Sequence, residues 1–387
     1  MSSSGSASVA KEKSAALRLP YLDGMRGLAA LAVAIYHAYK FTGWTGDAES
    51  IPILGSVLQF GFLGVPVFIV LSGYVLMLPV VRNDLRFPRG VKQYLRNRAR
   101  RILPPYYAAL GLSLLLVLCV PAMQQPSGTQ WDSKVPITTG DVVAHLFLVH
   151  DFSADWIGKI NGPLWSVAVE WHIYFLLPFV LLPLWRRIGG LSTTVLMLGV
   201  SFALAALDFG TFAHPWLVAL FAVGMLAAQQ TEQPKASPRM VVLLGASSGV
   251  AVAGIGVFSK GGVLAYFAIE VLVGICLGVF LALLGPLAAQ GKRPVAAAAL
   301  STRPLMFLGL ISYSVYLLHS PLLAWANIML LSVDLPILTH YLLMTMVALP
   351  IAIAICIAFY WLVERHFLNS RQRQVVHAAA SSTRTPV

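Results

Sequence analysis

Charged residues are scarce in this sequence. Asp, Glu, Lys and Arg together make up 11% of its 387 residues, whereas soluble domains contain about 25%. Hydrophobic residues reach 58%, and the mean hydropathy is +0.78. A water-soluble globule of this length could not bury so much apolar surface, so the composition excludes a soluble enzyme and indicates an integral membrane protein.

Cysteine is also scarce, and the common cofactor motifs are missing. The three cysteines, Cys119, Cys276 and Cys356, lie far apart inside apolar runs, which is typical of small core side chains and not of disulfides or metal ligands. The sequence has no Walker A loop, no Rossmann fingerprint and no Cys/His cluster with zinc spacing. We therefore predict no metal site and no permanently bound cofactor.

Continuous apolar runs of about 20 residues, each long enough to cross a bilayer as a helix, dominate the chain. Because these runs do not alternate, helices are favoured over a β-barrel. We predict an all-α integral membrane protein with about ten transmembrane helices in one bundle. The predicted spans lie near residues 21–41, 56–80, 102–122, 163–185, 191–207, 214–230, 240–258, 263–289, 304–330 and 339–362. The first contains Arg26 and lacks a small-residue cleavage site, so it is not a signal peptide.

The net charge of +12 agrees with this topology. With a cytoplasmic N-terminus, inside loops hold most Lys and Arg, and outside loops hold most Asp and Glu. The asymmetry favours both termini in the cytoplasm and accounts for the basic charge without nucleic-acid binding. We predict a disordered cytoplasmic tail at 1–19, a transmembrane domain at 20–368 and a second disordered cytoplasmic tail at 369–387.

An ionisable pair marks the first predicted span. Arg26 and His37 are eleven residues apart, so they project from nearly the same helix face, about 16 Å apart along the axis. Ionisable residues within a span are costly and usually face the bundle interior or a wet cavity. A structural role is an equally good interpretation: the Arg26 side chain would extend to the membrane surface, and His37 would form a hydrogen bond between packed helices.

Two later spans carry polar residues at a similar depth. Glu170 lies in the outer half of the fourth span, where a carboxylate must be protonated or paired. Tyr313, Tyr316 and His319 lie in the ninth span, where the simplest alternative is polar contact between helices. His37, Glu170 and His319 fall at a similar depth, which is what one buried site requires.

The basic loop YLRNRARRILPPYY leads into the third span and is the densest positive cluster in the chain. Charge alone leaves two interpretations open. The loop is either a topology signal that contacts anionic lipid, or a cytoplasmic site for a phosphorylated ligand, since arginine matches phosphate geometry. Ser72, in VFIVLSGYVL of the second span, has no general base beside it in sequence, so we do not predict a nucleophile there.

Together these segments resemble the acyltransferase-3 family of bacterial membrane acyltransferases. LDGMRGLAALAVAIYH is similar to the family's signature of an Arg and a His separated by ten residues. Five further segments are similar to later sequence blocks of the family and occur in the same order. They are VFIVLSGYVL, YLRNRARRILPPYY, GPLWSVAVEW, ISYSVYLLH and VERHF. The resemblance covers about residues 20–368, and it departs at His366, where relatives often have proline.

The resemblance implies a membrane O-acyltransferase in the plasma (inner) membrane of a bacterium. Such an enzyme moves an acyl group, often acetyl, from cytoplasmic acyl-CoA to a hydroxyl of a carbohydrate, glycolipid or secreted metabolite. The family roles make His37 the catalytic base and Arg26 its partner. Glu170, Tyr313 and His319 match further functional positions.

Acyl-CoA is the predicted co-substrate, and its predicted contacts are Arg98, Arg101, Ser72 and Arg303. In the mechanism that we expect, Glu170 orients the imidazole of His37, and Tyr313 or an arginine stabilises the oxyanion. His37→Ala should then abolish transfer, whereas Lys134→Ala should retain it.

Two other classes of function compete with this interpretation. Intramembrane Arg, His and Glu also form proton-coupled pathways, so a transporter or flippase of a polar or anionic solute is the alternative. A purely structural bundle leaves the polar residues unexplained. The longest outside loop, at about 123–160, is the predicted place for acceptor selectivity, because long loops in compact proteins are usually functional or disordered.

Overall fold

The protein is described by a computed structural model over residues 19–42, 55, 57–259 and 261–368. Those residues form helices joined by turns and loops, and no strand occurs among them. The all-α prediction is therefore confirmed for this part of the chain. The predicted tails at 1–19 and 369–387 lie outside the described residues, apart from Leu19, and the division into tails and a transmembrane domain stays a prediction.

Twelve helices occur among the described residues. They are α1 (Pro20–Thr42), α2 (Gly64–Val81), α3 (Gly90–Cys119), α4 (Thr139–Leu146), α5 (Leu164–Ile188), α6 (Gly190–Ala206), α7 (Leu217–Glu232), α8 (Pro238–Phe258), α9 (Val263–Ala289), α10 (Val295–Leu300), α11 (Arg303–Leu330) and α12 (Ile337–Leu362). A π-helical turn interrupts α5 at Leu177–Leu181 and α12 at Met344–Ala348. The nearby Pro178 and Pro350 cannot donate a helical hydrogen bond, which accounts for both irregularities.

Eight of these helices are long and apolar enough to cross a membrane. Each of the ten predicted spans coincides with one helix, but α1 and α6 fall outside the group of eight. Helix α6 has only 17 residues, and α1 carries Asp23, Arg26, His37 and Lys40 within 23 residues. The structure therefore supports a multi-pass membrane protein, and the count of ten crossings stays a prediction.

The bundle is organised around its buried helices. Helix α2 is the most buried of the eight candidate spans, and it packs against α1, α7 and α9, whereas α8 lies at the periphery against α9. Many exposed side chains of α8 are large and apolar, among them Leu243, Val250 and Phe258. Such a surface is stable when it faces lipid, since acyl chains are as apolar as leucine.

Helices α1 and α11 approach so closely that only glycine fits between them. A Cβ atom on Gly309 would lie 2.0 Å from the backbone oxygen of Asp23, and one on Gly27 would lie 2.7 Å from the backbone nitrogen of Gly309. Small residues allow such close backbone contact between membrane helices. The approach fixes the position of α11 relative to α1 over the whole length of the pair.

The long loop between α3 and α5 is folded. Two 3₁₀ turns, Pro121–Met123 and Gln130–Lys134, precede α4. The indole of Trp131, which is fully buried, donates a hydrogen bond to the backbone oxygen of Met123 at 2.8 Å. Thr138 and Asp141 form a reciprocal capping box at the start of α4, which stabilises a short helix. The loop is therefore an ordered cover over one end of the bundle.

Two buried histidines stack inside this loop. The rings of His145 and His150 lie 3.8 Å apart with 7° between their planes, and His145 Nδ1 donates to the backbone oxygen of Asp141 at 2.7 Å. Burial, with a smaller effect of the adjacent His145, lowers the pKa of His150 from 6.5 to about 3. The folded loop therefore holds both rings neutral.

Substitution of Gly309 tests the close helix contact. We expect Gly309→Ala to lower the free energy of unfolding by about 1–3 kcal/mol, because the added methyl group overpacks the α1–α11 interface. Gly111→Ala is the matched control, since a Cβ atom there meets nothing within 4 Å. Thermal unfolding in one detergent measures both variants, and equal midpoints for the two would contradict the interface.

Acidification tests the stacked histidines. Below pH 6.5 the unfolded loop gains a proton that the folded loop excludes until the pH reaches about 3. Stability is therefore lost as the pH falls, by about 1–2 kcal/mol at pH 5. Hydrogen-exchange protection of residues 139–152, corrected for intrinsic rates, should fall from pH 7 to pH 5. The decrease in protection between pH 7 and pH 5 should be smaller in His150→Phe, which has no imidazole to protonate. Equal protection of the wild type at pH 7 and pH 5 would contradict the assignment.

Candidate functional site

The first candidate site is a cavity of about 800 Å³ lined by arginines, which we call the arginine cavity. It lies where the start of α1, one face of α2 and the first halves of α3, α5 and α11 meet. Its charged lining residues are Arg26, Arg98, Arg101, Arg303, Asp23 and Glu170. Four guanidinium groups thus face two carboxylates, so the cavity favours an anionic ligand.

All four predicted acyl-CoA contacts line this cavity. Ser72, Arg98, Arg101 and Arg303 come from three different helices, and the fold brings them together. Their binding of acyl-CoA itself stays a prediction.

The arginines differ in how far their charge is already compensated. Arg101 Nη2 lies 3.1 Å from Glu364 Oε1, and Glu364 is fully buried and also accepts hydrogen bonds from the backbone nitrogen and hydroxyl of Ser314 at 3.1 and 2.5 Å. Arg98 has no carboxylate partner among the described residues, and its buried Nε lacks a hydrogen-bond acceptor. Arg26 and Arg303 likewise have no carboxylate partner among the described residues, so three of the four arginines have unused capacity for a phosphate.

Glu170 belongs to the arginine cavity. Its Oε1 accepts hydrogen bonds from the hydroxyls of Ser72 at 2.7 Å and Tyr174 at 2.5 Å. The expectation that Glu170 orients the imidazole of His37 was therefore wrong. A similar depth in the membrane did not bring these two residues together, because depth does not determine which neighbouring helix a side chain faces.

Tyr313 also lines the arginine cavity. Its hydroxyl donates to the backbone oxygen of Ile102 at 3.1 Å, and the Arg101 guanidinium lies 5.8 Å from its ring centroid. The hydroxyl proton of Tyr313 is thus already engaged. Stabilisation of an oxyanion by Tyr313 would require this bond to break.

A second cavity, of about 620 Å³, lies at the other end of α1. We call it the histidine cavity. The loop between α3 and α5, the start of α2, the turn before α7 and the start of α9 surround it. Its polar and aromatic lining includes His37, Lys134, Trp165, His214, Glu270 and Tyr316. Arg26 and His37 thus open into different cavities, so Arg26 is not a direct contact of His37.

His37 and His319 form a buried imidazole pair. His319 Nδ1 lies 2.8 Å from the backbone oxygen of Val315, and a carbonyl only accepts, so this nitrogen carries a hydrogen. The other nitrogen, Nε2, then presents a lone pair to His37 Nδ1 at 3.2 Å. Nδ1 of His37 must therefore be protonated as well, with the backbone oxygen of Val33 2.9 Å away.

This arrangement leaves one nitrogen of His37 available for chemistry. When Nδ1 carries the hydrogen, Nε2 of the neutral ring is a free base. If Nε2 takes up a proton, Nδ1–H of the resulting cation faces both the Val33 oxygen and the His319 lone pair. His319 therefore occupies the orienting position that the sequence had given to Glu170.

Lys134, which the sequence assigns to an outside loop with no role in the site, lies at the histidine cavity. Its side chain lies against Gly158 and Gly162, where added Cβ atoms would meet Lys134 Nζ at 3.5 and 3.1 Å. Burial, with a smaller effect of the Lys159 ammonium, lowers the pKa of the Lys134 amine to about 8. Lys134→Ala therefore removes a residue of the cavity lining, so its retained transfer stays a prediction and a residue outside both cavities is the better control.

A carboxylate in α9 was overlooked. Glu270 is 2% exposed; its Oε2 accepts a hydrogen bond from Trp216 Nε1 at 2.7 Å, and its Oε1 lies 2.9 Å from His214 Nδ1. His214 has a left-handed backbone, with φ of 49°, and its ring lies 4.9 Å from that of Trp165. Glu270 interrupts the apolar run VLAYFAIEVLVG, and the rule that selected Glu170 could have found it.

A family model described as an acyltransferase domain matches residues 19–361, which is most of the chain. No solved structure is a significant match. The family match covers α1 to nearly the end of α12, and it includes every residue that lines the histidine cavity.

Several curated proteins are similar to part of the chain. Acyltransferase MdmB of Streptomyces mycarofaciens is 28% identical over 174 residues, which is 44% of this chain and 40% of that protein. The putative peptidoglycan O-acetyltransferase YrhL of Bacillus subtilis is 27% identical over 42% of this chain and 24% of its own length. Peptidoglycan O-acetyltransferase OatA of Listeria monocytogenes is 26% identical over the same two shares. The chain thus spans less than half the length of these relatives.

Removal of the buried counter-ion of Arg101 gives a stability test for this site. Glu364→Gln removes the fully buried negative partner of Arg101, whose guanidinium stays partly exposed at the cavity, and should cost about 1.5–3 kcal/mol. The matched control is Glu232→Gln, since Glu232 pairs with the partly exposed Arg82 at 2.5 Å, where such a change costs about 1 kcal/mol or less. Unfolding in one detergent compares the variants. A loss in Glu364→Gln no larger than in the control would contradict the assignment.

Proposed function

The chain belongs to the acyltransferase family, and from this premise we propose that it is a membrane O-acyltransferase. The donor is acyl-CoA, with acetyl as the most common acyl group of the resembled family. The acceptor is a hydroxyl of a carbohydrate, glycolipid or secreted metabolite. The family match over residues 19–361 and relatives named as O-acetyltransferases support this proposal.

The arginine cavity is the proposed donor site. Acyl-CoA carries several phosphate charges, and guanidinium groups bind phosphate oxygens in pairs. Arg26, Arg98 and Arg303 line this cavity, and none of them has a carboxylate partner among the described residues. The flexible pantetheine arm would then extend along α1 from Arg26 toward Tyr316, so that the thioester arrives beside the histidine cavity.

The histidine cavity is the proposed acceptor site, and His37 is the proposed general base. Nε2 removes the proton of the acceptor hydroxyl as its oxygen attacks the thioester carbonyl. The tetrahedral intermediate collapses, the C–S bond breaks, and the CoA thiolate takes the proton from His37. The contact of Nδ1 with Val33 and His319, which would stabilise the imidazolium, is the single observation that carries this assignment.

The two cavities also suggest how the protein is oriented in the membrane and in which direction the acyl group is transferred. We propose ten crossings with both termini in the cytoplasm, with α1 and α6 crossing together with the eight longer apolar helices. The arginine cavity then faces the cytoplasm, where acyl-CoA is made, and the histidine cavity faces outward. A bacterial plasma membrane is the proposed location.

Substitutions in the imidazole pair test the catalytic assignment. Purified protein in nanodiscs is given radiolabelled acetyl-CoA together with cell-envelope glycan, glycolipid or secreted-metabolite fractions. We expect His37→Ala to reduce label transfer by about 10³-fold, because the base is lost. His319→Leu leaves Nδ1–H of His37 without its side-chain acceptor and should reduce transfer by about tenfold. His319→Gln, whose amide oxygen can accept that hydrogen, should restore part of the loss.

The exposed His366, which lines neither cavity, provides the control, and His366→Ala should transfer label at the wild-type rate. Full transfer by a folded His37→Ala protein would reject the base assignment. In a separate assay with the protein reconstituted in sealed vesicles, passage of an intact solute across the membrane without release of CoA would instead support the transporter alternative.

A further inference from the structure

The arginine and histidine cavities are separated by a partition one side chain thick. Among the described residues, Val65 and Tyr316 line both cavities. Phe68 lines the arginine cavity beside them, and the Tyr316 side chain is almost fully buried. A thioester in the arginine cavity and a hydroxyl in the histidine cavity would therefore meet this ring from opposite sides.

The side chain of Tyr316 is held in place by one hydrogen bond and by ring contacts. Its hydroxyl lies 2.5 Å from Ser166 Oγ, and its ring meets that of Phe68 edge to face at 5.6 Å between centroids. One hydrogen bond between neutral hydroxyls contributes little net stability, so a rotation of the ring is accessible. The ring centroid also lies 6.0 Å from that of His319, which places Tyr316 next to the imidazole pair.

The partition matters because water competes with the acceptor. The histidine cavity is large enough to hold water, and His37, Lys134, His214 and Glu270 offer it hydrogen-bond partners. A base that activates a hydroxyl also activates water. Attack of water on the thioester would form a C–O bond and break the C–S bond. The products would be a free carboxylic acid and CoA thiol, and the acyl group would be wasted.

We propose that Tyr316 is a gate between the two cavities, and that it determines whether the acyl group goes to the acceptor or to water. This inference rests on the proposed transferase function. With the Ser166 bond in place, the ring shields the thioester from the water of the histidine cavity. A bound acceptor displaces that water, and rotation of Tyr316 then brings the acyl group to the hydroxyl activated by His37.

Acceptor-independent release of CoA measures the gate directly. Full-length protein in nanodiscs is incubated with acetyl-CoA alone, and free thiol is followed with a chromogenic thiol reagent. We expect Tyr316→Ala to raise thiol release at least about tenfold over the wild type, because the shield is gone. Tyr316→Phe keeps the ring and loses only the bond to Ser166, so release should rise about fivefold or less. Adding His37→Ala to Tyr316→Ala should return release to the wild-type level.

Control variants separate a gate from a structural role. Tyr360 is a fully buried tyrosine that lines neither cavity, so Tyr360→Ala makes the same truncation without opening the partition and should not raise release. If Tyr316→Ala does not fold, Val65→Ala widens the same partition and should also raise release.

The outcomes also separate this inference from the proposed function. Wild-type protein that transfers label to an acceptor, together with folded Tyr316→Ala or Val65→Ala protein that releases no more thiol than the wild type, would overturn the gate and leave the transferase intact. Wild-type protein that transfers no label from acetyl-CoA to any acceptor fraction would reject the proposed function, and the gate with it.

Discussion

The contact between α1 and α11 is the constraint on which the site depends. Backbone approach at Gly27 and Gly309 holds the two helices in one register, and that register places His319 Nε2 3.2 Å from His37 Nδ1. The carbonyl of Val315 decides which nitrogen of His319 carries the hydrogen, and so decides that Nε2 of His37 is free. A chemical role that depends on one lone pair needs helices this rigid, since a small shift would end the contact.

The arginines and the imidazole pair lie at opposite ends of the bundle, and this separation accounts for the presence of two cavities. An apolar bundle cannot hold ionised groups without partners, and this chain gathers its arginines at one end and its imidazole pair at the other. The buried Glu364 partly compensates the first group, and Glu170 is held by Ser72. In the proposed reaction an anionic donor and a polar acceptor enter from opposite ends, and only the uncharged pantetheine arm of the donor has to pass through the apolar middle.

Sequence alone predicted the helices well, because continuous apolar length decides whether a segment becomes helical in a bilayer. The four predicted acyl-CoA contacts, Ser72, Arg98, Arg101 and Arg303, line one cavity, whereas Arg26 and Glu170 line it although they were predicted to act on His37. Glu170 was misplaced because its neighbours depend on the lateral packing of helices, which a position along one helix does not contain. The place of Lys134 at the histidine cavity was not predicted because the path of a long loop is set by contacts such as the burial of Trp131. Glu270 was present in the pattern and was not considered.

The most direct test of the central claim is a cryo-electron microscopy structure of the protein in nanodiscs with a non-hydrolysable thioether analogue of acetyl-CoA. The account predicts phosphate density beside Arg98 and Arg303, with the acetyl end of the analogue at Tyr316, facing His37 Nε2. Density for the analogue in the histidine cavity, or on the bundle surface with the arginine cavity empty, would contradict it.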